Sequence, residues 1–214
     1  DVAVSVYTPR KKRFFLKYLA HFLLLFENVK AKGSFLDNKR VIVAAAPHQS
    51  GKDEYLMILM ILALDIDVCY LSAKWTMRRI PNPFVKPKDI DKQGIAWPLG
   101  WLQEIVFKKF GAIPVDRKGN SGQYDSVVEE LIKRDNFLLI ITPEGRFDAT
   151  RFRSSFLYLA KELKAEVMPV QIDYENNRLQ FLNSLDLQGS EEEVIQRLRL
   201  CFDGIKGNKS RFKA

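Results

Sequence analysis

The chain has 214 residues, 47% of them hydrophobic and 28% charged, which excludes a disordered polymer and allows one sizeable core with a small appendage. Lys and Arg outnumber Asp and Glu by 34 to 26, a net charge of +8, and this balance suits an anionic partner: nucleic acid, a phosphorylated metabolite or an anionic membrane. Two histidines and two distant cysteines, Cys69 and Cys201, argue against a zinc site or a disulfide scaffold and read as buried free thiols in a reducing compartment.

The basic run Arg10-Lys11-Lys12-Arg13 precedes an apolar stretch from Phe14 to Phe26 that contains Lys17 and His21. No segment reads as a cleavable secretory signal. The stretch is shorter than the ~20 apolar residues of a spanning helix. Two readings stand: a basic, aromatic helix lying in a membrane interface, or an amphipathic helix docked on the protein's own core. Residues 1–38 are therefore set apart as a basic, amphipathic helical segment expected to associate with a membrane. The main domain is expected over 39–205, followed by a basic tail over 206–214.

From Val41 to Ala46 a continuous apolar run has strand length and stops at Pro47. Glu54 to Leu64 is apolar at helical spacing, and Val68 to Leu71 reads as a second strand. Residues 74–100, with Pro81, Pro83, Pro87 and Pro98, read as a long irregular connection of the kind used for lids and binding loops. A helix is expected over Trp97–Phe110, a strand over Ala112–Val115, and a flexible turn at Gly119–Gly122. Tyr124, Val127, Val128, Leu131 and Ile132 trace a helical face. Phe137–Ile141 and Val167–Ile172 read as strands, Phe156–Leu163 as a helix, and Val194, Leu198 and Cys201 mark a last amphipathic helix. Strands alternating with helices predict an α/β architecture: a largely parallel central sheet flanked by helices, with the amphipathic segment at its N-terminus.

Ligands in such sheets gather beyond the carboxyl ends of the strands. Three polar clusters fall there: His48 to Asp53, Asp116-Arg117, and Glu144-Gly145-Arg146. The first has the form H-x-x-x-x-D. An imidazole takes a proton from a hydroxyl best when a carboxylate holds its other nitrogen. Taken alone the pattern also fits a satisfied loop histidine and a helix-capping aspartate. Arg117 at a strand end suits a phosphate or carboxylate fork, or a surface pair with Asp116. Pro143 and Gly145 present Glu144 on a rigid turn, where it can accept hydrogen bonds from a polyol. Ser50-Gly51-Lys52 ends like a phosphate-binding loop, but Ala46 stands where its first glycine belongs and Asp53 where Ser or Thr is required. With no G-x-S-x-G elbow either, His48 has no protein nucleophile to serve and is expected to activate a substrate hydroxyl.

Taken in order, these blocks resemble the lysophospholipid acyltransferase superfamily, the glycerolipid acyltransferases. Its first block is H-x-x-x-x-D, here His48 to Asp53. Its second ends in a short apolar strand and an arginine, here Gly111 to Arg117. Its third is P-E-G-T-R, here Pro143-Glu144-Gly145-Arg146 without the threonine. Its fourth is a strand with an embedded proline, here Val167-Met168-Pro169-Val170. Trp97-Pro98-Leu99-Gly100-Trp101 is also similar to its bacterial members. The resemblance spans residues 40–175. It implies an acyl-CoA- or acyl carrier protein-dependent O-acyltransferase of phospholipid biosynthesis, with no metal and no cofactor beyond the acyl donor. His48 is then the general base and Asp53 its orienter. Arg117, Glu144, Gly145 and Arg146 hold the acceptor's phosphate and glycerol, and backbone amides near the first block stabilise the oxyanion. The expected acceptor is a lysophospholipid, foremost 1-acylglycerol 3-phosphate, giving phosphatidate at the cytoplasmic face of an anionic membrane. The alternatives are another lysolipid, such as a lyso-aminolipid or lipid A precursor, or a non-catalytic lipid-binding protein of the same fold. A nucleic-acid binder has only the net charge behind it, without a recognition helix or an RNP-type strand.

Overall fold

A computed structural model describes residues 14–33, 40–64, 68–81, 94–115, 124–145 and 151–207. The chain forms two compact units, Asp1–Asp67 with Asp135–Ala214, and Val68–Arg134.

Among the described residues, the larger unit has five strands: β1 (Lys30–Lys32), β2 (Arg40–Ala46), β7 (Phe137–Ile141), β8 (Glu166–Asp173) and β9 (Arg178–Phe181). Their order is β1-β9-β8-β2-β7. All neighbours are parallel except the β8–β9 hairpin. β2 lies between β8 and β7, with Ala44 opposite both Pro169 and Ile141. Val41 to Ala46 are all buried, as a parallel strand covered on both faces requires. Helix α1 spans Phe14–Glu27, α2 Gly51–Leu64, α5 Ser155–Leu163 and α6 Glu191–Leu200. Phe156, Leu159 and Leu163 of α5 are almost fully buried with Leu139, Val167 and Met168 of the strands; each such side chain contributes roughly 1.5–3 kcal/mol. α1 packs on α2 and buries Ala20, while Phe15, Tyr18, Phe22, Leu25 and Phe26 stay exposed. At 14 residues it is about 21 Å long, and among the described residues no helix is long and apolar enough to cross a membrane. The Arg10–Arg13 cluster lies outside the described residues, as do Asp116, Arg117, the Gly119–Gly122 turn and Arg146.

The smaller unit pairs β3 (Cys69–Ala73) with β6 (Ala112–Val115) in parallel. It also carries helices α3 (Gly100–Lys109) and α4 (Asp125–Leu131). The connection expected to be irregular has order in its described parts. A 3-10 turn over Lys74–Met77 leads into β4 (Arg79–Pro81), which pairs antiparallel with β5 (Gly94–Ala96). α3 starts at Gly100 rather than Trp97, because Trp97 closes the preceding turn: its carbonyl accepts from the Gly100 amide and its indole donates to Gln103. Cys69 is buried as expected, but Cys201 is only half-buried; neither is in a disulfide.

Gly111 ends α3 with φ +91°, and a Cβ there would collide with the carbonyl oxygen of Val68. Gly111→Ala should therefore destabilise the protein by about 2 kcal/mol or more, lowering Tm by roughly 5 °C in a thermal melt.

Candidate active site

The parallel order β8-β2-β7 brings three carboxyl ends side by side. β2 runs into His48 and then α2, β7 into Glu144, and β8 into Tyr174. Strand adjacency thus converts three distant stretches of sequence into one cluster, all within the larger unit.

Asp53 is its centre, with 1% of its surface exposed. A carboxylate so buried costs several kcal/mol unless its oxygens are hydrogen-bonded. Oδ2 accepts from the backbone amides of Gln49 at 2.6 Å and Ser50 at 2.8 Å. Oδ1 accepts from the Tyr174 hydroxyl at 2.6 Å and, more distantly, from the Ser50 hydroxyl at 3.4 Å. Asp53 sits in the first turn of α2, where the helix dipole favours a negative charge. Its claim on the Gln49 and Ser50 amides starts α2 at Gly51, three residues before the apolar periodicity begins. The capping and orienting readings of Asp53 are therefore compatible, since one carboxylate tethers the loop and also faces the imidazole. His48 Nδ1 lies 3.7 Å from Asp53 Oδ2, inside ion-pair range and longer than a hydrogen bond.

Glu144 approaches from the other side, accepting the His48 backbone amide at 2.7 Å. It is 9% exposed, so one oxygen of the carboxylate expected to meet a polyol already serves the histidine's backbone. Burial pushes its carboxyl above the ordinary value, the Asp53 charge adds to this, and the His48 amide and side chain partly offset it. The amides of His48, Gln49 and Ser50 are all engaged by Glu144 or Asp53. The backbone donors expected near the first block for an oxyanion are thus already spent at these three positions. Gly145, at φ +69°, turns the chain after Glu144, and a Cβ there would meet Arg153 Nε at 3.0 Å. The Arg153 amide also donates to the Pro143 carbonyl at 2.8 Å. A guanidinium therefore lies against the third block. Among the described residues, no group of three or more His, Cys, Asp or Glu side chains is arranged to hold a metal ion.

Tyr174 and Arg153 escaped the sequence reading. Tyr174 lies four positions beyond Val170, the last residue of the fourth block, but only the placement of β8 beside β2 brings its hydroxyl to Asp53. The Tyr174 amide donates to the Lys206 carbonyl at 3.1 Å, which pins this corner to the C-terminal segment. A Cβ at Gly207 would meet Pro47 Cγ at 3.0 Å, so the same segment closes round the loop that carries His48.

Fold and site together define an α/β protein with a carboxylate-held histidine beyond the carboxyl ends of parallel strands. The family model Acyltransferase matches residues 27–173, well over half of the chain, and the chain belongs to this family of acyl-transferring enzymes. The superfamily expected from the four blocks is thus borne out. The crystal structure of the 1-acyl-sn-glycerophosphate (LPA) acyltransferase PlsC from Thermotoga maritima matches with a TM-score of 0.55 at 16% identity, over 87% of this chain and 75% of that one. At that identity the likeness bears on the fold, and it agrees with the mostly parallel sheet expected from sequence. No curated protein sequence matches the chain.

Because the Glu144 carboxyl is raised from its ordinary 4.5, the folded state holds this proton more tightly than the unfolded chain does. The stability it contributes is present in acid and declines as pH rises from the unfolded value through the raised one. Glu144→Gln keeps an acceptor oxygen for the His48 amide and removes the titration. Its stability relative to wild type should rise across that pH interval in chemical denaturation; a pH-independent difference would contradict the assignment.

Proposed function

We propose that the protein moves a fatty acyl group from acyl-CoA or acyl carrier protein to the free hydroxyl of a lysophospholipid, foremost 1-acylglycerol 3-phosphate, giving phosphatidate. The observation that carries this reading is His48, fixed through its backbone by Glu144 and facing a fully buried Asp53. Family membership supplies the acyl transfer; the site supplies its general base. Asp53 faces Nδ1 at 3.7 Å and orients the ring, so Nε2 takes the proton from the acceptor hydroxyl as its oxygen attacks the thioester carbonyl. The tetrahedral oxyanion then collapses, the C–S bond breaks, and the imidazolium returns the proton to the leaving thiolate. No acyl-enzyme forms and no metal takes part.

Glu144 sets the His48 backbone, and its free lone pairs remain available to the acceptor's glycerol. Arg117, Gly145 and Arg146 keep their proposed part in binding the acceptor's phosphate. Arg153, against Gly145, adds positive charge that supports an anionic head group. The exposed Phe15, Tyr18, Phe22, Leu25 and Phe26 of α1 support docking on the cytoplasmic face of an anionic bilayer, where aromatic side chains enter the interface and the neighbouring basic run meets lipid phosphate.

His48→Ala should lower acyl transfer from acyl-CoA to 1-acylglycerol 3-phosphate by at least ~100-fold without altering vesicle binding; near-normal turnover would refute the mechanism. The same assay with lyso-aminolipid and phosphate-free acceptors identifies the acceptor, and a preference for these over the phosphate ester would move the reading to another lysolipid. A Phe15→Ser, Leu25→Ser, Phe26→Ser variant should float less with anionic vesicles at unchanged Tm, and undiminished flotation would contradict the α1 contact.

A further inference from the structure

We propose that Tyr174 is a positioning residue for the His48–Asp53 pair, acting through Asp53 and not on the substrate. The inference rests on the proposed roles of His48 and Asp53 and adds a third member that none of the four sequence blocks contains.

A carboxylate on a single bond rotates readily, because the terminal torsion of aspartate has a broad energy well. To hold an imidazole in one orientation, both of its oxygens must be fixed. The Gln49 and Ser50 amides fix Oδ2, the oxygen that faces His48 Nδ1. Oδ1 has the Tyr174 hydroxyl at 2.6 Å and the Ser50 hydroxyl at 3.4 Å. Among the described residues, removing the phenol leaves Oδ1 with the longer of these contacts.

The two sets of donors come from different parts of the fold. Gln49 and Ser50 belong to the same loop as His48 and move with it. Tyr174 follows β8, which runs parallel to β2 with Gln171 opposite Ala46, and its amide is tied to Lys206. Tyr174 therefore references the carboxylate to the sheet, whereas the loop amides reference it only to the loop.

The phenol is 5% exposed. Burial pushes its proton affinity well above that of a free tyrosine, and the bond to Asp53 and the Asp53 charge push it further. It therefore stays a donor at any working pH and does not compete with His48 for the acceptor's proton.

The test is a double-mutant cycle with acyl-CoA and 1-acylglycerol 3-phosphate, measuring kcat, both KM values and Tm for wild type, Tyr174→Phe, Asp53→Asn and the double variant. Phenylalanine keeps the ring and its packing and removes only the hydroxyl. Tyr174→Phe should lower kcat about tenfold, as expected for a lost hydrogen bond to a charged group, with both KM values unchanged. In the Asp53→Asn background it should cost nothing further, since a residue acting only through Asp53 has no effect once that carboxylate is gone. A wild-type kcat for Tyr174→Phe would overturn the inference, and so would a change confined to KM. A full tenfold loss on top of Asp53→Asn, or a loss that tracks Tm, would overturn it in favour of a general structural role. An Asp53→Asn enzyme with wild-type turnover would remove the reading beneath it, and that result is distinct from failure of the tyrosine alone.

Discussion

A carboxylate that is almost wholly buried has to be satisfied on every side, and Asp53 imposes this demand on the larger unit. Two loop amides, one hydroxyl of the loop and one phenol of the neighbouring strand converge on it. Each bond to a charged acceptor offsets about 1.5–3 kcal/mol of the desolvation cost, so three short ones suffice where one would not. The arrangement fixes the start of α2, the path of residues 48–50 and the face that His48 presents to Asp53. His48, the proposed base, is thus placed by the requirement to bury a charge.

Glu144 extends the same logic to the histidine's backbone. It is the second carboxylate beside one imidazole, and the two acids have different surroundings. Asp53 receives several donors and sits at a helix start, while Glu144 accepts from the His48 amide and has a raised proton affinity. Unequal environments separate the tasks of neighbouring acids. Here one faces the ring and the other tethers the chain that carries it.

The elements that read well from the sequence are those with strong local signals. The apolar runs 41–46, 112–115 and 137–141 are strands within a residue of their expected bounds, because buried parallel strands are continuous in hydrophobicity. α2 begins earlier than its periodicity indicates, since its first turn is held by the Asp53 side chain. β1 has only three residues, and β9 follows a turn whose Asn177 adopts φ +47°, so neither carries a run long enough to register. His48, Asp53 and Glu144 were visible as strand-end polar residues. The pairing of His48 with Asp53 was expected from the first block, whereas the bond from the His48 amide to Glu144 was not, because sequence alone does not say that β7 and β8 flank β2, and the same missing fact concealed Tyr174.

The central claim is that a buried acid pair holds His48 to act on a substrate hydroxyl, so that the acyl group passes directly from donor to acceptor. Intact-mass spectrometry of the protein mixed with acyl-CoA, with and without 1-acylglycerol 3-phosphate, tests this most directly. The account predicts unmodified protein throughout, and phosphatidate only when the acceptor is present. An acylated protein that forms with acyl-CoA alone and disappears as the acceptor is added would contradict it.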